Sequence, residues 1–528
     1  MSLKDSFRDT LGRLPWVADL DWQLRHRDGK LKSRFQLYAL ENSLKDVMAQ
    51  AMPHAPAVLS GKKVFFFASW HYWIVHTALC GLTLRALGHD VTLGYLPYSD
   101  YDKPVNRFDL RLQDLYTRHI LKEAAPLLKT VSFLDLKPAR QIPAALSRAV
   151  EQVSIIDMQY TLQREDVTGA EPLYPLRLQR NQDAARKAYA YFQQNRPDVV
   201  VIPNGMIQEY GAVYETARLL GIQAVTYEFG EQDQRLWLGQ DSLVIVHDTE
   251  ALWAARRDRK LDAEQRLWLE SFLAGRQGLT TGTQFAHLWQ KTDRSGGAQI
   301  RTALGLDERP VVLLPTNVLG DSATLGLTVF SRSMTEWLQR VASFLAGRPE
   351  VQVVLRIHPA ETWTVGPSVA EIIQQVLPEL PSHIRLIGPK EKVNTYDLME
   401  IADLALVFTT TAGLEMATRG IPVVVSGAAH YRKKGFTLDA DTWDEYFAVL
   451  NQALQNLPAR LTPEQVELAW NYAYCFFAEY PCPFPWHLEK IGDDLGKRPM
   501  SYVLSPEGRA EFESTFQQMA GAPMDWMK

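Results

Sequence analysis

Thr409, Thr410 and Thr411, with Gly413 and Glu415 close behind, are the chain's densest set of groups suited to an anion. Threonine hydroxyls donate hydrogen bonds. A helix starting here would add unsatisfied N–H groups and the positive end of its dipole. Gly413 lets that backbone come close to a neighbour. Glu415, about one turn later, is placed to accept hydrogen bonds from a hydroxylated ligand. The chemistry implied is capture of a phosphate that carries hydroxyl groups. A threonine-capped helix would use the same residue types, but a cap needs one hydroxyl and three stand in a row.

A second set precedes it. Arg356-Ile357-His358-Pro359-Ala360-Glu361 holds a cation, an imidazole and a carboxylate. In an extended chain Arg356 and His358 point to the same side, so together they can meet a diphosphate, with His358 as donor or proton carrier. The same residues also read as an ion pair and a loop hydrogen bond at a strand end. Tyr431-Arg432-Lys433-Lys434-Gly435 is a basic run, either a solvated loop or a group that neutralises a departing phosphate. Further upstream, Asn204-Gly205 and Glu228-Phe229-Gly230-Glu231 bring carboxylates to two more strand ends. Glu228 is the leading candidate for a base or nucleophile, with Glu231, His71 and Asp100 as competitors. A structural ion pair is the other role open to Glu228.

These residues need elements to hold them. Residues 64–68, 91–93, 131–134, 199–202 and 223–227 are short apolar runs that read as buried strands, and residues 155–156 are a further candidate. Helical patterns over about 73–87, 179–195 and 208–220 separate them. After residues 292–298, TDRSGGA, a linker by composition, the alternation restarts. Strands at 311–314, 351–357, 384–386, 404–408 and 423–425 alternate with helices near 333–346, 368–376 and 395–401. Alternating strands and helices imply parallel, doubly wound sheets whose ligands sit at the carboxyl ends of the strands. The expected organisation is a helical extension (1–58), a first Rossmann-like domain (59–291), a second (299–441) and a helical tail crossing back (442–528), with the site in the cleft.

Composition narrows the class. At 528 residues the chain exceeds one hydrophobic core. A net charge of −5 and no basic tract give no support to nucleic-acid binding. Cys80, Cys475 and Cys482 are too scattered for a disulfide framework, and Cys475, Cys482 and His487 complete no zinc pattern. The start lacks the apolar core of a signal peptide. Residues 64–84 are long enough to consider as a membrane span, but His71 and His76 interrupt them and they parse as strand, turn and helix. The first 58 residues and the aromatic, proline-rich stretch 472–486 are candidates for peripheral membrane contact, or for packing on the domains.

The carboxyl half resembles the bacterial capsule polysaccharide biosynthesis glycosyltransferases, which are similar to Kdo-transferase and polysialyltransferase-type GT-B enzymes. The resemblance is carried by Pro315-Thr316-Asn317 with Asp321, by residues 356–361, by Asn394-Thr395-Tyr396, and by residues 409–415 running on to Gly427, Tyr431 and Gly435-Phe436-Thr437. It implies a GT-B fold and transfer of a sugar from a nucleotide-activated donor to a glycan or lipid-linked glycan acceptor. No cofactor or metal is expected, because Arg356, His358 and the helix terminus can supply the positive field. Thr316, Asn317, Arg356, His358, Glu361, Thr410, Thr411, Gly413, Glu415 and Tyr431 would then form the donor side, with His358, Thr410 and Thr411 on the phosphate and Glu415 near the ribose. Glu228, with His71, Asn204 and Glu231, would form the acceptor side. A CDP-polyol phosphotransferase is the enzymatic alternative, because such enzymes carry a similar pair of motifs. A non-catalytic scaffold of a glycan-assembly complex is the other.

Overall fold

The computed structural model describes residues 3–26, 29–31, 35–230, 232–277 and 292–526. In chain order the first half forms strands β1 (Lys63–Ser69), β2 (Asp90–Leu96), β3 (Lys129–Ser132), β4 (Val199–Pro203), β5 (Gln223–Glu228) and β6 (Arg235–Gln240). The second forms β7 (Val311–Pro315), β8 (Gln352–Arg356), β9 (Ile384–Ile387), β10 (Leu404–Val407), β11 (Val423–Val425), β12 (Leu438–Asp439) and β13 (Cys482–Pro483).

They assemble into two sheets, ordered β13-β6-β5-β4-β1-β2-β3 and β12-β11-β10-β7-β8-β9. All pairs in the second sheet are parallel. The first is parallel from β3 to β5, and β6 and β13 add an antiparallel edge. Both sheets start in the middle, wind outward one way, return and wind out the other way. Strand order therefore reverses between β1 and β4 in one sheet and between β7 and β10 in the other. A doubly wound sheet opens its binding crevice at that reversal. The near-continuous apolar sequences of β4 (VVVIP) and β7 (VVLLP) suit strands covered on both faces, and every residue of both is buried. The architecture is GT-B: two Rossmann-like domains facing a cleft, with helical extensions at both ends.

The extensions pack on the domains. Helices Leu3–Leu11 and Pro15–Arg25 lie against helix Arg107–Leu121, with Arg8 paired to Asp109 at 2.7 Å and Arg111 to Asp19 at 3.2 Å. Leu40, Leu44, Val47 and Met48, at helical spacing on Tyr38–Ala51, are buried in the first core. The tail crosses back between the domains. Helix Pro463–Tyr474 packs on the second domain, runs into a π-helical turn at Cys475–Glu479, and continues into β13 on the first sheet. Phe512, Phe516 and Met519 of helix Pro506–Met519 finish in the first core.

Several sequence expectations change. Ile155 and Ile156 lie inside helix Ala144–Leu162, not in a strand, because the apolar run continues at helical spacing. Phe476, Phe477, Phe484 and Trp486 are buried, so the aromatic stretch 472–486 cements the crossing and offers no membrane face. One expectation holds: residues 64–84 are β1 and helix His71–Ala86, as the strand–turn–helix reading has them, and no described helix is long and apolar enough to cross a membrane. Helices Glu250–Arg256 and Ala263–Arg276 put Leu252, Trp253, Leu269 and Leu273 into the core beneath the second sheet, although their sequence position precedes the expected linker. That linker is itself pinned: Ser295 N–H donates to Asp397 Oδ2 at 2.7 Å, and the Arg294 guanidinium pairs with Asp397 and Glu400.

Candidate functional site

On the second sheet the carboxyl ends of β7, β8 and β10 surround a cavity of about 190 Å³ at the strand-order reversal. Thr316, Arg356, His358, Thr410, Thr411 and Glu415 all reach it, so the two separate sequence motifs meet as expected. Backbone register does the positioning. Thr316 N–H donates to Arg356 O at 3.0 Å, and His358 N–H donates to Thr316 Oγ1 at 3.2 Å, which ties the ends of β7 and β8 together.

His358 is held in one orientation and one charge state. Its Nδ1 accepts the Ala360 N–H at 3.1 Å, which leaves the ring proton on Nε2 as donor. Burial, then the nearby Arg356 charge, lower its pKa to about 4. The ring is therefore neutral at pH 7, and it acts as a hydrogen-bond donor, not as a cation. Arg356 supplies positive charge while its guanidinium donates to Gly388 O at 2.5 Å and Val393 O at 3.2 Å.

Sequence reasoning missed Arg276. It arrives from the end of helix Ala263–Arg276, lines the cavity, and donates to Glu415 Oε1 at 3.2 Å and Thr411 Oγ1 at 3.3 Å. No local spacing marks it in the sequence; the pairing shows only in the fold, where Glu415, 4% exposed, has a cation beside it. Glu415 thus forms part of a charged wall with Arg276, and Tyr396 lies against both.

Other donor-side expectations are corrected. The helix after the threonines is short, Ala412–Thr418, and its first N–H groups are already used. Gly413 N–H donates to Thr410 O at 3.1 Å, and Ala412 N–H to Thr410 Oγ1 at 3.4 Å. The anion-binding capacity therefore rests on side chains more than on a helix terminus. A Cβ on Gly413 would lie 2.4 Å from the Tyr431 hydroxyl, so this glycine makes room for Tyr431 and not for a ligand. Tyr431 is fully buried and donates to Thr410 O at 2.7 Å; it supports the threonine turn from behind. Glu361 does not reach the cavity. Its Oε1 accepts the Val369 N–H at 3.1 Å, at the start of helix Val369–Val376, and burial raises its pKa to about 7. The basic run is also spent elsewhere: Arg432 and Lys433 pair with Asp441 at 2.9 and 2.7 Å, and Lys434 pairs with Glu250.

A second cavity, about 210 Å³, shares His358, Thr410 and Thr411 with the first and opens toward the other domain. Asn317 and Asp321 line it from the second domain, and Ile245 to His247 line it from the segment after β6. Asn317 Oδ1 also accepts the Thr409 N–H at 3.3 Å. Asp321, quoted in the sequence motif but not placed at the site, is therefore part of the cleft.

On the first sheet a cavity of about 630 Å³ opens at the carboxyl ends of β1, β4 and β5. Glu228, the last residue of β5, lines it with Asn204. Asn204 Nδ2 donates to Glu228 Oε2 at 3.3 Å, and Phe229 N–H donates to Oε1 at 3.1 Å. Burial outweighs both hydrogen bonds and pushes the Glu228 pKa up to about 7, where a carboxyl can exchange protons with a hydroxyl. The Tyr160 hydroxyl is pushed up to about 12 by burial, then by the Asp321 and Glu228 charges, so it lies within electrostatic reach of acids from both domains. Two competitors fall away. The His71 ring packs on Phe35, Trp70 and Tyr72 instead of lining this cavity, and Asp100 lines a different one beside the amino-terminal helices. Glu231 lies outside the described residues. Among the described residues no group of three or more His, Cys, Asp or Glu is placed to hold a metal ion.

Residues 279–456, about a third of the chain, match the family model described as capsule polysaccharide biosynthesis protein. The match spans β7 to β12 and stops just short of Arg276. No curated protein matches the chain. Solved structures with similarity include the β-Kdo 2,7-transferase of Thermosulfurimonas dismutans KpsC, at 14% identity over 59% of this chain and 88% of that one, with a TM-score of 0.33. The β-Kdo 2,4-transferase of the same KpsC has 16% identity, covering 55% and 82%, with a TM-score of 0.35. UDP-GlcNAc 2-epimerase from Neisseria meningitidis, bound to UDP-GlcNAc, has 13% identity, covering 79% and 98%, with a TM-score of 0.28. None of the three is close enough to lend this chain a substrate or a residue role.

Proposed function

We propose that the protein is a glycosyltransferase that moves a sugar from a nucleotide-activated donor to a surface or capsular polysaccharide acceptor. The observation that carries this reading is a pair of cavities, one on each sheet. An anion-suited cavity on the second sheet shares His358, Thr410 and Thr411 with a cleft cavity, and the first-sheet cavity holds a carboxyl tuned to about 7 together with Tyr160, which also feels the Asp321 charge from the cleft. The capsule polysaccharide family match over residues 279–456 supports the same class.

In this reading Thr410, Thr411 and His358 Nε2–H donate to the phosphate, and the Arg276 and Arg356 charges offset the negative charge that grows on it as the bond to the sugar breaks. Glu228 takes the proton of an acceptor hydroxyl. That oxygen forms the new bond to the anomeric carbon, and the nucleotide departs with both electrons of the old one. Excluding water from the cleft matters because hydrolysis competes. We assign no metal to the step, and EDTA is expected to leave turnover unchanged. The donor is cytoplasmic in this account, and three free, buried cysteines suit a reducing compartment. Exposed Trp16, Leu20 and Leu24, spaced along one face of Pro15–Arg25, support peripheral contact with a membrane carrying the acceptor.

The test is nucleotide release from CMP-, UDP- and GDP-linked sugars, with and without glycan acceptor. One donor should release its nucleotide, faster with acceptor present. Turnover of a CDP-polyol in place of every nucleotide sugar would overturn the assignment.

A further inference from the structure

The cavity on the first sheet has features that proton transfer at Glu228 alone does not require. Its walls include Trp70, Tyr72, Trp73, Tyr101, Tyr160 and Tyr210. Three non-glycine residues with left-handed backbone, Trp70, Asn204 and Gln208 (φ 74°, 56° and 56°), all line it. Such conformations persist only where surrounding structure enforces them, and they gather at binding sites.

The enforcing structure is visible. Ser69, which precedes Trp70, has its N–H bonded to the Tyr210 hydroxyl at 3.2 Å and its own hydroxyl bonded to Glu209 Oε2 at 3.2 Å. Buried Arg177 bonds Asp157 Oδ2 and the Tyr101 carbonyl, each at 2.7 Å, and Arg180 bonds the Asp100 and Lys103 carbonyls at 2.7 Å. The Tyr210 ring and the backbone around Trp70 and Tyr101 are therefore held in place before any ligand arrives.

The lining also selects by charge. Glu228 and Glu489 contribute carboxylates, and no lysine or arginine is among the described residues that line it. Aromatic faces carry negative quadrupole potential and attract polarised C–H edges. Gln208 offers an amide to hydroxyls, and Asn204 holds Glu228 in place. An acyl chain would set the Gln208 amide and the Glu228 and Glu489 carboxyls against hydrocarbon, and an anionic group would meet like charge.

We propose that this cavity binds the acceptor as an uncharged sugar ring, stacked on Trp70 and Tyr72, with a ring hydroxyl presented to Glu228. This rests on the glycosyltransferase reading. The cavity, about 630 Å³, has room for more than one ring, so the terminal residues of an oligosaccharide fit.

Saturation-transfer NMR and calorimetry on the full-length protein test it. The probes are neutral trisaccharides (glucose-, galactose- and N-acetylglucosamine-based), the same cores ending in sialic or glucuronic acid, and the nucleotides CMP and UDP. At least one neutral trisaccharide should bind, at least tenfold more tightly than its acid-terminated counterpart. Trp70→Ala and Tyr72→Ala should each weaken it at least tenfold, while nucleotide affinity stays within twofold. Tyr72 is 50% exposed, so its variant keeps the fold even if Trp70→Ala does not. Equal binding of acid-terminated probes overturns the proposal, as does wild-type binding by Tyr72→Ala. A protein that binds nucleotide but no neutral trisaccharide overturns this site alone. One that binds a trisaccharide but no nucleotide keeps the site and overturns the glycosyltransferase reading.

Discussion

Glu228 concentrates the chemistry at the residue scale, and its tuning has two consequences with opposite signs. Burial raises its pKa from the ordinary 4.5 to about 7. Acting as a base it must be ionised, so kcat/KM should rise with pH along an acid limb centred near 7. Glu228→Gln should remove that limb and lower kcat by about 10²–10⁴-fold. For stability the direction reverses. A carboxyl whose pKa is higher folded than unfolded binds its proton more tightly in the native state. Its ionisation costs stability progressively from about pH 4.5 to pH 7, and fully above that. Glu228→Gln should therefore gain stability at pH 8, on the order of 3 kcal/mol, and gain little at pH 4; denaturant titrations at the two pH values check this. Glu228 was legible in the sequence because an acid at the carboxyl end of a strand faces the crevice of a doubly wound sheet. Arg276 was not, because its partner Glu415 lies far along the chain and no local spacing connects them.

The element that defines the donor side is the turn from β10 into helix Ala412–Thr418, and it depends on a support from the loop after β11. The Tyr431 hydroxyl holds the Thr410 carbonyl at 2.7 Å, and Gly413 leaves space for that ring. Tyr431→Phe keeps the packing and removes the bond. It should cost about 1 kcal/mol of stability and raise the donor KM severalfold with kcat little changed, as steady-state kinetics would show. Gly413→Ala should cost more, about 1–3 kcal/mol by thermal unfolding, because the buried ring must move. The parallel strands were legible because runs such as VVVIP and VVLLP are apolar without alternation. Strands β6 and β13 were not: β6 is polar at both ends, and β13 is two residues whose pairing is made by the returning tail. The threonine run and Gly413 looked alike in sequence, as ligand contacts, because a position in the chain does not say which side a neighbour occupies.

At the scale of the molecule, the two half-sites belong to different sheets, and the crossing segments join the domains that carry them. Phe476, in the π-helical turn of the returning tail, stacks on His430 of the second domain at 3.7 Å between ring centroids and on Trp237 of β6 at 6.3 Å. It is 3% exposed, so Phe476→Ala should cost about 3–5 kcal/mol, seen as a lower midpoint in denaturant, and should loosen the alignment of the halves. The two-domain plan was legible from the restart of strand–helix alternation, whereas the way helices 250–276 cross to the second core was not, since sequence order hides the partner of an amphipathic face. The central claim is a division of labour: the second sheet binds donor, and the first activates acceptor. Parallel measurement of nucleotide affinity by calorimetry and of sugar transfer, in Glu228→Gln and His358→Ala, tests it most directly. Glu228→Gln should bind nucleotide within twofold of wild type while transfer falls at least a hundredfold, and His358→Ala should lose both. Unchanged transfer by Glu228→Gln, or wild-type nucleotide affinity in His358→Ala, would contradict the account.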